Sequence, residues 1–248
     1  MRNGASPTNH AAVTLDGVSR TFGKGERAVR ALDDVSLVFE QGSFTAIMGP
    51  SGSGKTTLLQ IAAGLDRPDR GSVLLEQTEL GRLGERRLAR VRRREIGFVF
   101  QAFNLLPSLT AAQNVVLPLR LAGRRPRRRV AGDALERVGL RERAGHRPAE
   151  LSGGQQQRVA IARALVTEPT VIFADEPTGA LDRRSTREVL ALLREATDHD
   201  GRTVVMVTHD PVAASVADRV VFLADGHVVD EVTGARPEIV AARMAELE

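Results

Sequence analysis

The pattern of hydrophobic and polar positions changes its period several times along the chain, and these changes predict an α/β fold. Apolar and polar residues alternate at 13–18 and 35–39, as in the strands of a small antiparallel sheet. Further on, short apolar runs alternate with stretches of helical period, which implies a mostly parallel sheet covered on both faces. The predicted strands of this sheet are 43–48, 96–100, 171–174, 203–208 and 219–223, and the predicted helices between them include 56–63, 183–197 and 211–217.

A long helical stretch interrupts this alternation. From 102 to about 167 the helical period dominates, broken by four prolines. We therefore expect a helical subdomain inserted in the core of a single domain that runs from 12 to 248. Residues 1–11 have no such pattern and are predicted to form a disordered tail. The chain shows no internal repeat and no linker long enough to separate two independent domains.

Composition narrows the setting in which such a domain works. The 248 residues include no Cys, so there is neither a disulfide framework nor a thiolate metal site. The N-terminus lacks the apolar stretch of a secretory signal, and no run approaches the roughly 18 apolar residues of a membrane-spanning helix. These features predict a cytosolic protein, and they leave open a peripheral position on the cytoplasmic face of the membrane.

The basic residues are mostly arginines in two clusters, at 82–94 and 120–129, within a formal net charge of +4. One interpretation is attraction to acidic lipid headgroups or to nucleic acid. The other is a solvated helical face. The second is favoured because no aromatic residues interleave with the arginines to stack on bases. We therefore expect no nucleic-acid partner.

One segment has the glycine spacing of a phosphate-binding loop and lies between a predicted strand and a predicted helix, as such a loop requires. It comprises Gly49, Pro50, Ser51, Gly52, Ser53, Gly54, Lys55, Thr56 and Thr57. Its glycines let successive backbone N–H groups point at phosphate oxygens, backed by the positive end of the next helix. Lys55 is expected to contact the β- and γ-phosphates, and the Thr56 hydroxyl to coordinate Mg²⁺.

Two carboxylates, Asp175 and Glu176, follow the apolar strand at 171–174. Ligands of a parallel sheet lie at the carboxyl ends of its strands, so both side chains are expected near the phosphates. We predict that Asp175 holds Mg²⁺ through water. We predict that Glu176 polarises the attacking water as a general base.

Two more polar residues follow predicted strands directly. The amide of Gln101, after the strand at 96–100, is placed to reach Mg²⁺ or the attacking water, or it is an ordinary polar end of a strand. His209, after the strand at 203–208, is placed to donate a hydrogen bond to the γ-phosphate. The same segment reads as a helix start, with Asp210 as its cap. These two interpretations of His209 are compatible.

Ser152 and Gln155 form the capping-box pattern Ser-x-x-Gln before a predicted helix at 156–166. Gly153 and Gly154 leave the backbone bare at this helix start, which favours anion binding. The local chemistry therefore supports phosphate binding, but it does not say which chain's phosphate is bound.

Taken together, these segments resemble the ATP-binding subunit of ABC transporters over nearly all of 13–230. The resemblance rests on Walker A at 49–57, the Q-loop Gln101, the signature at 151–155, Walker B at 171–176, the D-loop at 180–182 and the switch histidine His209. It implies a P-loop NTPase of ABC type, with a mostly parallel core sheet, a small antiparallel β subdomain and an α-helical subdomain. It also implies an ATP hydrolase whose cofactors are ATP and Mg²⁺.

The resemblance implies a head-to-tail homodimer that sandwiches two ATP molecules, each between the Walker A segment of one chain and the signature of the other. Ser152, Gly153 and Gly154 would then act on the partner's nucleotide, and Asp182 would do so in part. Phe22 matches the aromatic residue that stacks on adenine in the family, where Tyr is commoner.

Finer features, among them Gly179 where many transporters carry Ser, resemble the macrolide-exporter and lipoprotein-releasing group. That resemblance implies a permease with few membrane helices and a large extracytoplasmic domain, contacted through a groove near Gln101. Because the sequence ends at 248 without a membrane helix, the permease is expected to be a separate polypeptide, and a lipophilic or peptide-like substrate is expected.

Two other classes of protein remain as alternatives. A non-transport ABC ATPase acting on nucleic acid or in translation is suggested by the arginine clusters. Its long coiled-coil insertions or second nucleotide domain are not seen in this sequence. A kinase or small GTPase would leave the signature at 151–155 unexplained.

Overall fold

Two β-sheets form the framework of the chain in a computed structural model that describes residues 10–234 and 236–247. Within this part of the chain the strands are β1 (Ala11–Phe22), β2 (Val29–Glu40), β3 (Phe44–Met48), β4 (Arg70–Leu75), β5 (Thr78–Glu79), β6 (Ile96–Phe100), β7 (Val171–Asp175), β8 (Thr203–Val207), β9 (Arg219–Ala224) and β10 (His227–Thr233). The smaller sheet is antiparallel, in the order β2-β1-β4-β5. The larger sheet has the order β10-β9-β3-β8-β7-β6, and all its pairs are parallel except β9–β10.

Helices cover the larger sheet and also form a separate group. In the described residues they are α1 (Lys55–Ala62), α2 (Glu85–Glu95), α3 (Ala111–Val115), α4 (Leu117–Leu121), α5 (Arg128–Arg137), α6 (Gly153–Leu165), α7 (Arg183–Asp198), α8 (Pro211–Ala214) and α9 (Pro237–Ala245). The group from α3 to α6 lies in sequence between the parallel neighbours β6 and β7. Its buried residues form their own apolar core, which includes Val115, Leu135 and Val159.

The central strands of the larger sheet, β3, β7 and β8, are largely apolar because both of their faces are covered. All five side chains of β3 and all five of β8 are buried. Residues of β3 alternate between two cores: Ile47 packs beneath the smaller sheet and α1, and Phe44, Ala46 and Met48 pack on the other side with α7. The predicted α/β fold with a mostly parallel sheet is confirmed.

Several predicted boundaries differ from the structure; for example, the strands predicted at 13–18 and 35–39 extend over Ala11–Phe22 and Val29–Glu40. The expected disordered tail reached residue 11, but Ala11 pairs with Glu40 as the first residue of β1; residues 1–9 lie outside the described residues. α6 begins at Gly153, three residues before the predicted start, because the capping residue Ser152 directly precedes it. α8 ends at Ala214, earlier than predicted.

Several elements had not been predicted, namely β4, β5, β10 and α9. β10 is an edge strand whose residues alternate between exposed and half-buried positions. It joins β9 through Asp225 and Gly226, which both have positive φ angles of 47° and 79°. An Asp-Gly pair between alternating residues is a hairpin signal, so this strand could have been found in the sequence. Over the residues that the structure describes, no helix has the length and apolar character needed to cross a membrane.

Candidate functional site

The glycine-rich loop leaves the end of β3 through backbone positions that exclude a side chain. A Cβ atom at Gly49, where φ is 149°, would lie 1.9 Å from the carbonyl oxygen of Leu223. At Gly54, where φ is 101°, it would lie 2.2 Å from the carbonyl oxygen of Ala31. Gly54 is the N-cap of α1, and no side chain caps that helix. The first N–H groups of α1 are therefore available to an anion.

Lys55 lies across this loop. Its Nζ donates hydrogen bonds to the carbonyl oxygens of Gly49 at 2.8 Å and Pro50 at 2.6 Å, and to Ser53 Oγ at 3.3 Å. Burial lowers the pKa of Lys55, and the negative charges of Glu176 and Asp175 raise it in part. The ammonium group is therefore held inside the loop and interacts electrostatically with both carboxylates.

Parallel pairing places Asp175, the last residue of β7, opposite Phe100 of β6 and Val207 of β8. Burial raises the pKa of Asp175 above its usual value, the charge of Glu176 raises it further, and Lys55 opposes both effects. Two carboxylates at the carboxyl end of β7 therefore interact electrostatically with Lys55 of the glycine-rich loop. The sequence analysis expected this proximity because ligands of a parallel sheet lie at the carboxyl ends of its strands.

Glu176 stands in a left-handed backbone conformation, with φ of 46°. Its N–H donates to the carbonyl oxygen of Val207 at 2.9 Å, which ties the turn to β8. Its Oε2 lies 3.1 Å from Nδ1 of His209, an exposed side chain after β8. The structure therefore brings together two residues that the sequence assigned to the same reaction from segments 33 positions apart.

The side chain of Gln101, which directly follows β6, lies near the carboxylate of Glu176. If Gly179 carried a Cβ atom, that atom would lie 2.8 Å from Gln101 Nε2 and 3.2 Å from Glu176 Oε2. The amide and the carboxylate therefore face each other across the bare backbone of Gly179. Thr56, in the first turn of α1, is exposed.

The donors present fit a magnesium ion that is shared with a phosphate ligand. Among residues 10–234 and 236–247, no three His, Cys, Asp or Glu side chains form a group that could hold a metal ion. Mg²⁺ prefers one or two carboxylates and completes its shell with water and substrate phosphates. The half-buried carboxylate of Asp175, whose ionised form is disfavoured, suits such a cation, and the Thr56 hydroxyl is a free oxygen ligand.

The predicted capping box at the start of α6 is confirmed. Ser152 Oγ accepts from the N–H of Gln155 at 3.3 Å, and the N–H of Ser152 donates to Gln155 Oε1 at 2.9 Å. The amide oxygen of Gln155 is therefore used in the cap. Ser152 is exposed, and the atoms nearest to a Cβ built on Gly153 belong to Phe103 and Leu181, at 3.6 and 3.7 Å. The helix start is thus supported by the chain's own loops and opens toward solvent.

Asp182 caps α7, a role that the sequence analysis had not assigned. Its Oδ1 accepts from the N–H groups of Arg184 at 2.9 Å and Ser185 at 3.0 Å, and its Oδ2 accepts from Ser185 Oγ at 2.7 Å. These hydrogen bonds, led by the one from the Ser185 backbone, lower the pKa of Asp182. An Asp directly before a helix is the expected N-cap pattern, so the sequence contained this signal.

Phe22 ends β1 with 42% of its surface exposed. The guanidinium carbon of Arg20 lies 4.8 Å from the centre of its ring, within the range of a cation–π contact. Arg20 is itself held by Asp66 at 3.0 Å and Asp69 at 2.9 Å. The ring is thus supported from one side and partly open to solvent.

Two residues of α6, the partly buried Arg163 and the buried Gln157, hold the loops of the site and were not predicted to do so. Arg163 donates to the carbonyl oxygens of Phe103 and Asn104, the two residues with positive φ in the loop after Gln101. Gln157 donates to carbonyl oxygens beside Gln101 and Glu176. Both residues lie within a helical pattern, where only contacts with distant segments identify them.

Two cavities adjoin this region. One, of about 450 Å³, is lined mainly by apolar side chains of α4 and β6, together with Arg163. The second, of about 580 Å³, has more arginines than carboxylates in its lining: Arg90, Arg93, Arg94 and Arg124 against Glu95 and Glu168. Arg93 and Thr167 line both cavities, so an apolar groove continues into a basic one.

Comparisons with known proteins agree on one family. A family model described as ABC transporter matches residues 32–179. The macrolide export ATP-binding/permease protein MacB 1/2 of Paracoccus denitrificans is 52% identical over 231 residues, which cover 92% of this chain and 34% of that protein. The chain thus spans about a third of that relative. The uncharacterised ABC transporter ATP-binding protein MJ0796 of Methanocaldococcus jannaschii is 47% identical over 225 residues, covering 88% of this chain and 96% of that protein.

Among solved structures, the fold is similar to a dimeric, post-hydrolysis state of the ATP-binding cassette MJ0796 bound to ADP and Pi. The TM-score is 0.83 at 44% sequence identity, and the match covers 90% of this chain and 99% of that one. A structure of cbiO1 from Clostridium perfringens, part of the ABC transporter complex cbiONQ, matches with a TM-score of 0.82 at 28% identity and covers 95% of this chain.

Proposed function

The chain belongs to the ABC transporter family as an ATP-hydrolysing nucleotide-binding domain, and from this premise we propose that it drives a membrane permease through ATP-dependent dimerisation. The observation that carries the proposal is the convergence of Glu176, His209 and Gln101 at the ends of three parallel strands, beside the loop that holds Lys55. The exposed start of α6 supplies a second anion site outside this cluster.

The proposed chemistry follows from this placement. The carboxylate of Glu176 accepts a proton from the water that attacks the γ-phosphate, and His209, 3.1 Å away, donates a hydrogen bond toward the phosphate. Lys55 leaves its backbone acceptors for the β- and γ-phosphates. Asp175, Thr56 and Gln101 are the residues that would hold Mg²⁺, which neutralises charge on the phosphates when it is bound. Phe22 supplies the face on which adenine stacks.

The proposed dimer uses the signature of each chain on the nucleotide of the other. Ser152 is exposed, Gly153 is partly exposed and Gly154 is buried against Ser185. The residues that support this helix start, Phe103, Leu181 and Ser185, lie outside the glycine-rich loop. The solved MJ0796 relative is dimeric, which supports the same arrangement here. The hydrogen-bond acceptors of Asp182 are engaged in capping α7, so its contribution across the interface would come through the position of its backbone.

The proposed permease contact is the apolar groove beside Gln101 that continues into the basic cavity. A short cytoplasmic segment of the permease would place apolar side chains in the first cavity and acidic side chains beside the arginines of the second. Such a contact would place the chain at the cytoplasmic face of the membrane. The printed name of the MacB relatives, macrolide export ATP-binding/permease protein, supports a permease as the partner and a lipophilic or peptide-like substrate that is exported or extracted. In those relatives the ATP-binding and permease parts belong to one protein; for this chain we propose a permease of few helices.

Replacement of the proposed base tests the chemistry. Glu176→Gln removes the proton acceptor but keeps the shape of the side chain, so we expect ATP binding with turnover reduced by about a hundredfold or more. Because hydrolysis would no longer separate the two chains, a dimer should accumulate with ATP in size-exclusion chromatography. Turnover close to that of the wild-type protein would remove Glu176 as the base.

Purification from membranes tests the partner. The tagged chain, isolated from detergent-solubilised membranes of its own host, should carry one integral membrane protein in a fixed ratio, identified by mass spectrometry. Leu121→Glu in the apolar groove should reduce its recovery, and an equally exposed site away from the groove, Val29→Glu, should not. Recovery of no membrane protein, with cross-linking in native membranes also negative, would overturn the proposed partner.

A further inference from the structure

A single buried amide joins the signature helix to both catalytic loops. Gln157, on α6 and five residues after Ser152, is completely buried. Its Nε2 donates to the carbonyl oxygen of Pro177 at 2.6 Å and to that of Phe100 at 3.3 Å. Pro177 directly follows Glu176, and Phe100 directly precedes Gln101. The side-chain amide of Gln157 therefore donates hydrogen bonds to the backbone beside both proposed catalytic residues, Gln101 and Glu176.

The other end of this amide argues against a purely structural role. Gln157 Oε1 is buried and has no hydrogen-bond partner among the described residues. An unsatisfied buried acceptor lowers stability. Asn114 of α3, the other completely buried amide, shows the contrast: its Nδ2 donates to three carbonyl oxygens and its Oδ1 accepts from the N–H of Leu106. Asn114 is satisfied at both ends, as expected for a residue that stabilises a fold.

The turn at Glu176 needs restraint from more than one side. Glu176 has a positive φ, and its N–H is fixed to β8 through Val207. The carbonyl of Pro177 belongs to the same turn, and Gln157 binds it from α6. The orientation of the Glu176 carboxylate is thus set by β8 on one side and by the signature helix on the other.

We infer that Gln157 is a positioning residue that couples the start of α6 to Glu176 and Gln101 within one chain. Because a helix moves as a rigid body, a shift of Ser152 on contact with the partner's nucleotide is transmitted to both loops through this amide. The chain's own base is then aligned when its signature is engaged. This inference rests on the proposed function, since it assigns the alignment to the proposed base.

The substitution Gln157→Met tests the coupling, because it keeps an unbranched side chain of similar size and removes both donors. We expect kcat for ATP hydrolysis to fall about tenfold or more, since displacement of catalytic groups by 1 Å costs up to roughly a hundredfold. The Kd for ATP should stay within about twofold of the wild-type value. The melting temperature should fall less than that of Asn114→Leu, because the unsatisfied Oε1 is removed together with the two donors and the Phe100 carbonyl keeps its bond from the N–H of Phe103.

Two further variants separate positioning from folding. Asn114→Leu, which removes a fully bonded amide, should lower the melting temperature clearly, and Gln157→Met should lower it less. Gln157→Glu introduces a carboxyl whose pKa burial and two facing carbonyl oxygens raise. Once protonated it can donate one hydrogen bond, so its kcat relative to wild type should rise as pH falls from 8 to 6. Gln157→Met should show no such recovery.

Three outcomes overturn the inference. The first is a kcat of Gln157→Met within twofold of wild type, and the second is a loss of kcat matched by a loss of melting temperature like that of Asn114→Leu. The third is a kcat of Gln157→Glu, relative to wild type, that does not rise on acidification. Wild type and Glu176→Gln are measured alongside. If Glu176→Gln turns over ATP as fast as wild type, the proposed base fails; if it does not and Gln157→Met is active, only the coupling fails.

Discussion

Asp175 is a half-buried carboxylate beside a second carboxylate, Glu176, with Lys55 as the cation that acts on it. Its raised pKa means that the folded chain disfavours the ionised form. This unfavourable contribution is fully present above the folded pKa and disappears as pH falls to the ordinary value of an Asp. Asp175 is thus placed to bind a cation that the protein does not itself provide. Its burial lowers the stability of the folded chain when that cation is not bound.

The change Asp175→Asn should therefore stabilise the nucleotide-free protein while it removes activity. We expect a higher melting temperature at pH 8 by scanning calorimetry, and a gain that shrinks as pH is lowered through the folded pKa of Asp175. Hydrolysis with saturating Mg²⁺ should fall by about a hundredfold or more, because the proposed metal ligand is lost.

Asp182→Asn is a control for which we expect a change in melting temperature of the opposite sign. The pKa of Asp182 is lowered, so its ionised form is favoured and its contribution is lost as pH falls. This variant should lower the melting temperature at pH 8 and have less effect in acid. A melting temperature of Asp175→Asn below that of wild type at pH 8 would contradict the assignment.

Some of these residues could be identified from sequence and others could not, for a physical reason. Asp175 and Glu176 stand at the end of one apolar strand and His209 after another, and the carboxyl ends of parallel strands meet, so their proximity was predictable. Gln157 is one of three consecutive glutamines at 155–157, which play different roles. Helical periodicity does not show which of them is buried against a turn 20 residues later in the chain.

At the scale of elements, the junction of α6 and α7 holds the signature in place. A Cβ atom at Gly154 would lie 2.3 Å from Ser185 Oγ and 2.6 Å from its Cβ, whereas one at Gly153 would meet no atom closer than 3.6 Å. Ser185 in turn binds the cap residue Asp182. The start of one helix thus packs on the first turn of the next, without room for a methyl group.

Neighbouring glycines consequently allow a matched test of this junction. Gly154→Ala should lower the melting temperature by several degrees and separate α6 from α7, with hydrolysis reduced in parallel. Gly153→Ala adds the same methyl group one position earlier and should leave the melting temperature unchanged or raise it, because Ala favours a helix over Gly. Equal effects of the two substitutions on the melting temperature would show that the contact with Ser185 is unimportant.

The predicted bounds of an element agree with the structure where neighbouring side chains determine where that element begins or ends. The strand predicted at 96–100 coincides with β6, and the capping box at Ser152 was predicted although the helix start was placed too late. α9 was not predicted, although its two buried residues, Val240 and Met244, lie four positions apart on one helical face. Such a helix is defined by the surface it covers.

For the whole molecule, the location of the signature predicts that two chains share each active site. Ser152→Arg should abolish hydrolysis while ATP still binds, because Ser152 serves the partner's nucleotide. Lys55→Ala should also be inactive. A mixture of the two should hydrolyse ATP faster than either variant alone, since one composite site of the mixed dimer keeps both Lys55 and Ser152.

The matched control is a double variant, Ser152→Arg with Lys55→Ala in the same chain, mixed with either single variant. No composite site is then intact, and no recovery of hydrolysis should be seen. An inactive mixture of the two single variants, with mixed dimers demonstrated by mass spectrometry, would show that a single intact site does not work in the free subunit.

Phe22, the half-exposed ring beneath Arg20, has an optical consequence. The sequence contains neither Trp nor Tyr, and its eight Phe residues absorb and emit weakly. The protein therefore has almost no intrinsic fluorescence at wavelengths longer than the phenylalanine emission. In a Phe22→Trp variant, the new tryptophan would dominate the fluorescence of the protein. Quenching of its emission would report the binding of the adenine base in real time, without an added label.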